Sequence, residues 1–175
     1  VNGDESDTAI VTNLCRRLIL CAPIYYILGN NEADLMYLSG GYQVPLDNEL
    51  FEIGVNVLYY EGMPVTIGSN DFWIDVAGET AVTDYKPEAD PSRVYRILMA
   101  HTPSSALDCL YRSDFDLAVA GHYHGGHIRL PGGKGLYHPD AGIFPEYCYG
   151  KFRVSESVLI VSRGMGSHDI LPRIN

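Results

Sequence analysis

Three scarcities bound this 175-residue chain before any motif is considered. No stretch approaches the ~20 consecutive apolar residues that a membrane-spanning helix needs, and the first residues show no basic-then-apolar signal pattern. Basic side chains are few: 12 Lys and Arg face 22 Asp and Glu, a formal net charge of −10. Lys86, Lys134 and Lys151 are scattered rather than clustered. That balance argues against a nucleic-acid backbone or an anionic membrane surface as the main partner, so no nucleic-acid partner is expected. An acidic chain that handles phosphate needs cations to do it. The four cysteines, Cys15, Cys21, Cys109 and Cys148, are far apart and form no C-x-x-C pair. They read as a reduced thiol set and leave the compartment open between cytoplasmic and membrane-associated.

What is present is an ordinary globular composition, 46% apolar, long enough for one core and one domain over residues 1–175. Asp7 reads as an N-cap, and Ile10, Val11, Leu14 and Leu18 share one helical face, which predicts a helix over 8–20. The run "APIYYILGN" reads as a buried strand ending in a loop, and "YRILMAHTP" and "DFDLAVAGHYH" have the same form. Between them, "NVLYYEGMPVTIGSNDFWIDVAGE" breaks into three runs that predict an antiparallel meander, and "SSALDCLYRS" predicts a helix. The last third is rich in Gly and Tyr, with strand signals only. Alternating strands and helices of this kind indicate an α/β fold.

In open α/β sheets ligands gather at the carboxyl ends of strands. Asp4, Asn30, His101 and the pair His122 and His124 all fall at such ends. A lone histidine is more often a hydrogen-bonded core or surface residue. Three histidines with two oxygen donors at four strand ends read instead as a metal constellation, and this donor set suits Mn²⁺, Fe or Zn²⁺. His122 and His124 are two apart, so extended chain places both rings on one side.

These residues fall into blocks. "GDESD" at 3–7, "GNNE" at 29–32, "AHTP" at 100–103 and "GHYHGG" at 121–126 occur in order, and the closing "LYHPDAGIFPEY…LIVSRGMG…LPRIN" completes the pattern. The chain resembles the calcineurin-like metallophosphoesterase superfamily, in its bacterial membrane-associated or exported branch, essentially end to end. The resemblance implies an α/β sandwich of two mixed sheets flanked by helices. It also implies hydrolysis of a phosphoester or pyrophosphate bond through a dinuclear centre and a metal-bound hydroxide. Asp4 would bridge the two divalent ions, Asn30, His101 and His122 would complete one, and His124 would bind the other. The substrate implied is a phosphate-containing small molecule or a lipid-linked ester.

Two departures qualify the match. The D-x-H block and its strand are missing before Gly3, so a fold lacking the first strand, and an N-terminally truncated chain, are expected. One metal in this chain and membrane association through the missing segment are the corresponding expectations, and His127 is a candidate to fill the gap. Asn31 stands where the family places a histidine that protonates the leaving group, a role an amide cannot fill near neutral pH. Asn31 and Asp4 are the catalytic candidates, and His168 is a further candidate acid. Tyr123, between two candidate ligands, and Arg163, able to reach a phosphate bidentately, are the substrate-binding candidates. Tyr147 and Tyr149 could line the same cleft. The rival reading is a non-catalytic metal- or phosphate-binding module derived from a phosphoesterase.

Overall fold

The computed structural model describes residues 5–32, 45–59, 61–77, 94–126, 128–130 and 135–164. Asp4, His127 and His168 lie outside these residues. Helix α1 spans Glu5–Leu18, α2 Pro45–Ile53 and α3 Pro103–Leu110. Six strands form the main sheet: β3 (Met63–Ile67), β4 (Asn70–Ala77), β5 (Tyr95–Ala100), β6 (Leu117–Ala120), β10 (Gly150–Val154) and β11 (Ser157–Val161). Their order is β10-β11-β6-β5-β4-β3. The four central strands run parallel, and the edge strands β10 and β3 pair antiparallel to their neighbours. Because β4, β5, β6 and β11 point the same way, their carboxyl ends share one edge.

Two smaller sheets accompany it. Strand β1 (Tyr25–Ile27) pairs in parallel with β2 (Asn56–Leu58). Strands β7 (Ile128–Arg129), β8 (Gly135–His138) and β9 (Gly142–Ile143) form an antiparallel sheet. The expected meander is therefore corrected: β3 and β4 form its hairpin, while β2 leaves to pair with β1. The two-residue turn Gly68-Ser69, with Gly68 at φ +63°, closes that hairpin.

Strand alternation explains the layering. Leu98 and Ala100 of β5 join Ala118, Ala120, Leu159 and Val161 in a core covered by α3 through Ala106, Cys109 and Leu110. Ile97 and Met99, on the opposite face of β5, meet Ile74, Val76 and Leu58 together with Tyr25 and Ile27 of β1. The outer face of the β1–β2 pair, through Tyr26 and Val57, packs on Cys15 of α1 and on Leu46 and Leu50 of α2. The result is helix, sheet, sheet, helix, the mixed α/β sandwich expected from the blocks. Among the described residues no helix is long and apolar enough to cross a membrane.

The first helix departs from its sequence reading in detail. It begins at Glu5, so Asp7 belongs to its first turn rather than capping it. Its buried residues are Thr12 and Cys15, whereas Ile10 is 65% exposed and Leu18 is 47% exposed. Thr12 enters the interior because its hydroxyl donates back to the Thr8 carbonyl at 3.1 Å. That bond satisfies a polar group that apolar periodicity alone would have kept outside.

Candidate metal centre

Each of the described candidate ligands leaves a strand at its carboxyl end. The apolar run of β5 stops at Ala100, and His101 follows. Thr102 then caps α3, its hydroxyl accepting from the Ser105 N–H at 3.1 Å, with Pro103 at the first helical position. The abrupt strand-to-helix switch holds His101 at the sheet edge. Beside it, β6 ends at Ala120, and the Gly121 N–H donates to the His101 carbonyl at 3.1 Å. His122 thus lies next to His101, with ring centroids 4.5 Å apart.

Asn30 arrives from the other sheet. After β1 the chain passes through Gly29, whose N–H donates to the buried Glu32 carboxylate at 3.0 Å. The helical turn 30–32 then brings Asn30 Oδ1 to 2.9 Å from His101 Nε2. Gly29 is required by closeness: a Cβ there would stand 2.8 Å from His101 Cε1 and 2.9 Å from Glu32 Oε2. Burial, and then the charges of the His122 and His124 rings, push the His101 pKa down to about 4. His101 is therefore a neutral imidazole at neutral pH, the form that binds a metal.

The segment after β6 corrects the expectation of extended chain. His122 and His124 have φ of 66° and 54°, and Gly125 and Gly126 have φ of 74° and 89°. Alternation therefore does not set the two rings; a left-handed turn does, closed by Gly126 N–H donating to the Tyr123 carbonyl at 2.7 Å. Two non-glycine residues in this sparsely populated region within three positions are backbone strain of the kind that collects at binding sites.

Two participants were not singled out from sequence, His138 and Asp140. Asp140 Oδ2 accepts from His122 Nε2 at 2.8 Å. The buried His138 ring lies 5.5 Å from His122 and 4.6 Å from Tyr123. Ligand atoms of His122, His138 and Asp140 all lie within 4.8 Å of one another. The pattern His-Pro-Asp, a metal-ligand pair at a turn between strand signals, was the available clue. Glu32, inside the "GNNE" block, was likewise given no role.

The other candidates are placed as follows. Asn31 is the residue after Asn30 in the same helical turn. Tyr123 is buried and its hydroxyl donates to Ser104 Oγ at 3.3 Å. Arg163 leaves β11 at the same edge of the sheet and stacks its guanidinium over the Tyr149 ring at 3.8 Å. Tyr147 packs edge-on against Phe152, with centroids 4.9 Å apart.

The donor set fits a divalent ion. Two ligands about 2.1 Å from a metal and at right angles to each other stand about 3 Å apart. The 2.9 Å separation of Asn30 Oδ1 and His101 Nε2 has that value. An amide oxygen and neutral imidazoles, with no thiolate among them, suit a borderline or hard divalent cation.

Comparison with known proteins agrees with this geometry. Residues 1–126 match the family model for calcineurin-like phosphoesterases. The chain is 27% identical over 150 residues to phosphodiesterase YaeI of Escherichia coli (strain K12), covering 84% of this chain and 53% of that protein. It is 26% identical over 148 residues to the uncharacterized metallophosphoesterase YkuE of Bacillus subtilis (strain 168), covering 80% and 48%. The chain thus spans about half the length of these curated relatives. No solved structure matches with comparable significance. The family match over residues 1–126, with His101 and His122 at neighbouring strand ends and Asn30 against His101, identifies the chain as a member of the calcineurin-like phosphoesterase family.

Proposed function

We propose that the chain forms one domain over residues 1–175 and hydrolyses a phosphodiester or related phosphoester at a dinuclear centre. The observation that carries this reading is the 2.9 Å contact of Asn30 Oδ1 with His101 Nε2, beside the His122 ring. Asn30, His101 and His122 would hold one ion, Asp4 would bridge, and His124 would serve the second; Mn²⁺ and Zn²⁺ match these donors. Bound divalent ions supply positive charge for the phosphoryl oxygens and make water a competent nucleophile at neutral pH. Such charge is what an acidic protein, at −10 overall, needs in order to take an anionic ester.

The protein's own residues do the rest. Arg163, at the same sheet edge, is the group that would orient a phosphate, and its stacking on Tyr149 keeps the guanidinium plane fixed. Asn31 can donate a hydrogen bond to a phosphate oxygen but supplies no proton, so good leaving groups are favoured. The name of the E. coli relative supports a diester. A lipid-linked ester suits an apolar row on the three-stranded sheet. Ile128, Tyr137 and Ile143 are register partners across β7, β8 and β9, and are 49%, 40% and 71% exposed. Tyr137 is the neighbour of His138 along β8.

Hydrolysis of bis-p-nitrophenyl phosphate by the full-length protein in Mn²⁺ buffer tests the reading. Turnover that chelator and His101→Ala both abolish is expected. Turnover indifferent to both would contradict it, and metal binding without turnover of any ester would favour a binding module.

A further inference from the structure

The family match ends at residue 126, yet the side chain that touches His122 comes from residue 140. Strands β8 and β9 fold back so that the turn between them, residues 139–141, meets the end of β6. Three contacts form a chain there. His138, buried at the end of β8, accepts the Asp140 N–H on Nδ1 at 3.2 Å. Asp140 in turn places Oδ2 2.8 Å from His122 Nε2. His122 stands 4.5 Å, ring to ring, from His101, which holds Asn30.

An imidazole that gives one ring nitrogen to a carboxylate has only the other for a metal. Metal-bound histidines commonly donate the remaining N–H to a carboxylate, which sets both tautomer and ring orientation. We propose that Asp140 is a positioning residue of the metal centre: it accepts the His122 Nε2–H, so that His122 presents Nδ1 as its ligand atom, and the buried His138 holds Asp140 in place. This rests on the reading of His122 as a metal ligand. It extends the centre into β8 and the turn that follows, outside the residues that the family model matches.

The test uses the full-length protein and Mn²⁺ as the probe, with affinity read by calorimetric titration. Asp140 has a side chain 61% exposed, so its loss should leave the melting temperature of the metal-free protein unchanged. Asp140→Ala should weaken Mn²⁺ binding by about 10–100-fold. Asp140→Asn should fall between it and the wild type, since an amide oxygen can accept the same N–H. With ¹¹³Cd²⁺ and ¹⁵N-labelled histidine, the metal should couple to His122 Nδ1. Asp140→Ala binding Mn²⁺ like the wild type, while His122→Ala loses it, would overturn the role of Asp140 and leave the centre standing. If His122→Ala also binds like the wild type, the reading of the centre fails with it. Coupling of cadmium to His122 Nε2 would overturn the positioning role, because Asp140 would then share the ion.

Discussion

His101 Nε2 and Asn30 Oδ1 lie 2.9 Å apart although 71 residues separate them in sequence and each comes from a different sheet. Both sheets of the sandwich therefore converge on one point, and Gly29 makes the convergence sterically feasible. Gly29→Ala would thrust a methyl group to 2.8 Å from His101 Cε1 and 2.9 Å from Glu32 Oε2. The expected cost is about 1–3 kcal/mol of stability, with weaker Mn²⁺ binding because His101 must move. Denaturant midpoints and a metal titration measure both; a variant equal to the wild type in each would show that the ring is not held against Gly29.

Burial gives the metal-free protein a specific pH dependence. His101 has its pKa lowered to about 4 in the fold, against 6.5 for an ordinary histidine. Between these values the unfolded chain binds the extra proton, so stability rises with pH. The contribution is complete above about pH 6.5 and is lost as pH falls toward 4. Thermal melts from pH 7 to pH 4 should fall more steeply for the wild type than for His101→Gln, which cannot titrate. Parallel curves would mean that His101 protonates as easily folded as unfolded.

How far the sequence disclosed this arrangement depends on how local each signal was. His101 was legible because the apolar strand run "YRILMA" stops directly at it and polar residues follow. The layered sandwich was legible only through the resemblance carried by the ordered blocks, since β1 and β5 are near-continuous apolar runs that mark buried strands without assigning their faces. The geometry of His122 and His124 was not, because residue alternation assumes extended chain and these two adopt positive φ in a turn. Asp140 was hinted at by the His-Pro-Asp pattern, but its partner was not legible, because the contact with His122 spans 18 residues and forms only once β8 and β9 pair. Thr12 of α1 replaced the expected Ile10 and Leu18 in the interior by bonding its hydroxyl to its own helix.

Asn31 carries the chemical consequence of the "GNNE" block. Without an acid at this position, hydrolysis by the full-length protein should depend steeply on the leaving group: fast for p-nitrophenyl and pyrophosphate-linked esters, slow for alkyl esters. Asn31→His should flatten that dependence and raise rates on poor leaving groups by up to ~10²-fold, within the range of a general acid. Values of kcat/KM across a series of aryl phosphates report the slopes. Equal slopes for the two proteins would place Asn31 away from the departing oxygen.

The position of a bound divalent ion separates a metal centre from a purely structural contact between the two sheets. Crystals of the protein soaked in Mn²⁺ and measured at the manganese absorption edge locate it without reference to activity. The strongest anomalous peak should lie within coordination distance of Asn30 Oδ1, His101 Nε2 and the His122 ring together. A strongest peak elsewhere, with Asn30 still bonded to His101 at 2.9 Å, would show that the pair is a hydrogen bond holding two sheets together and not a metal site.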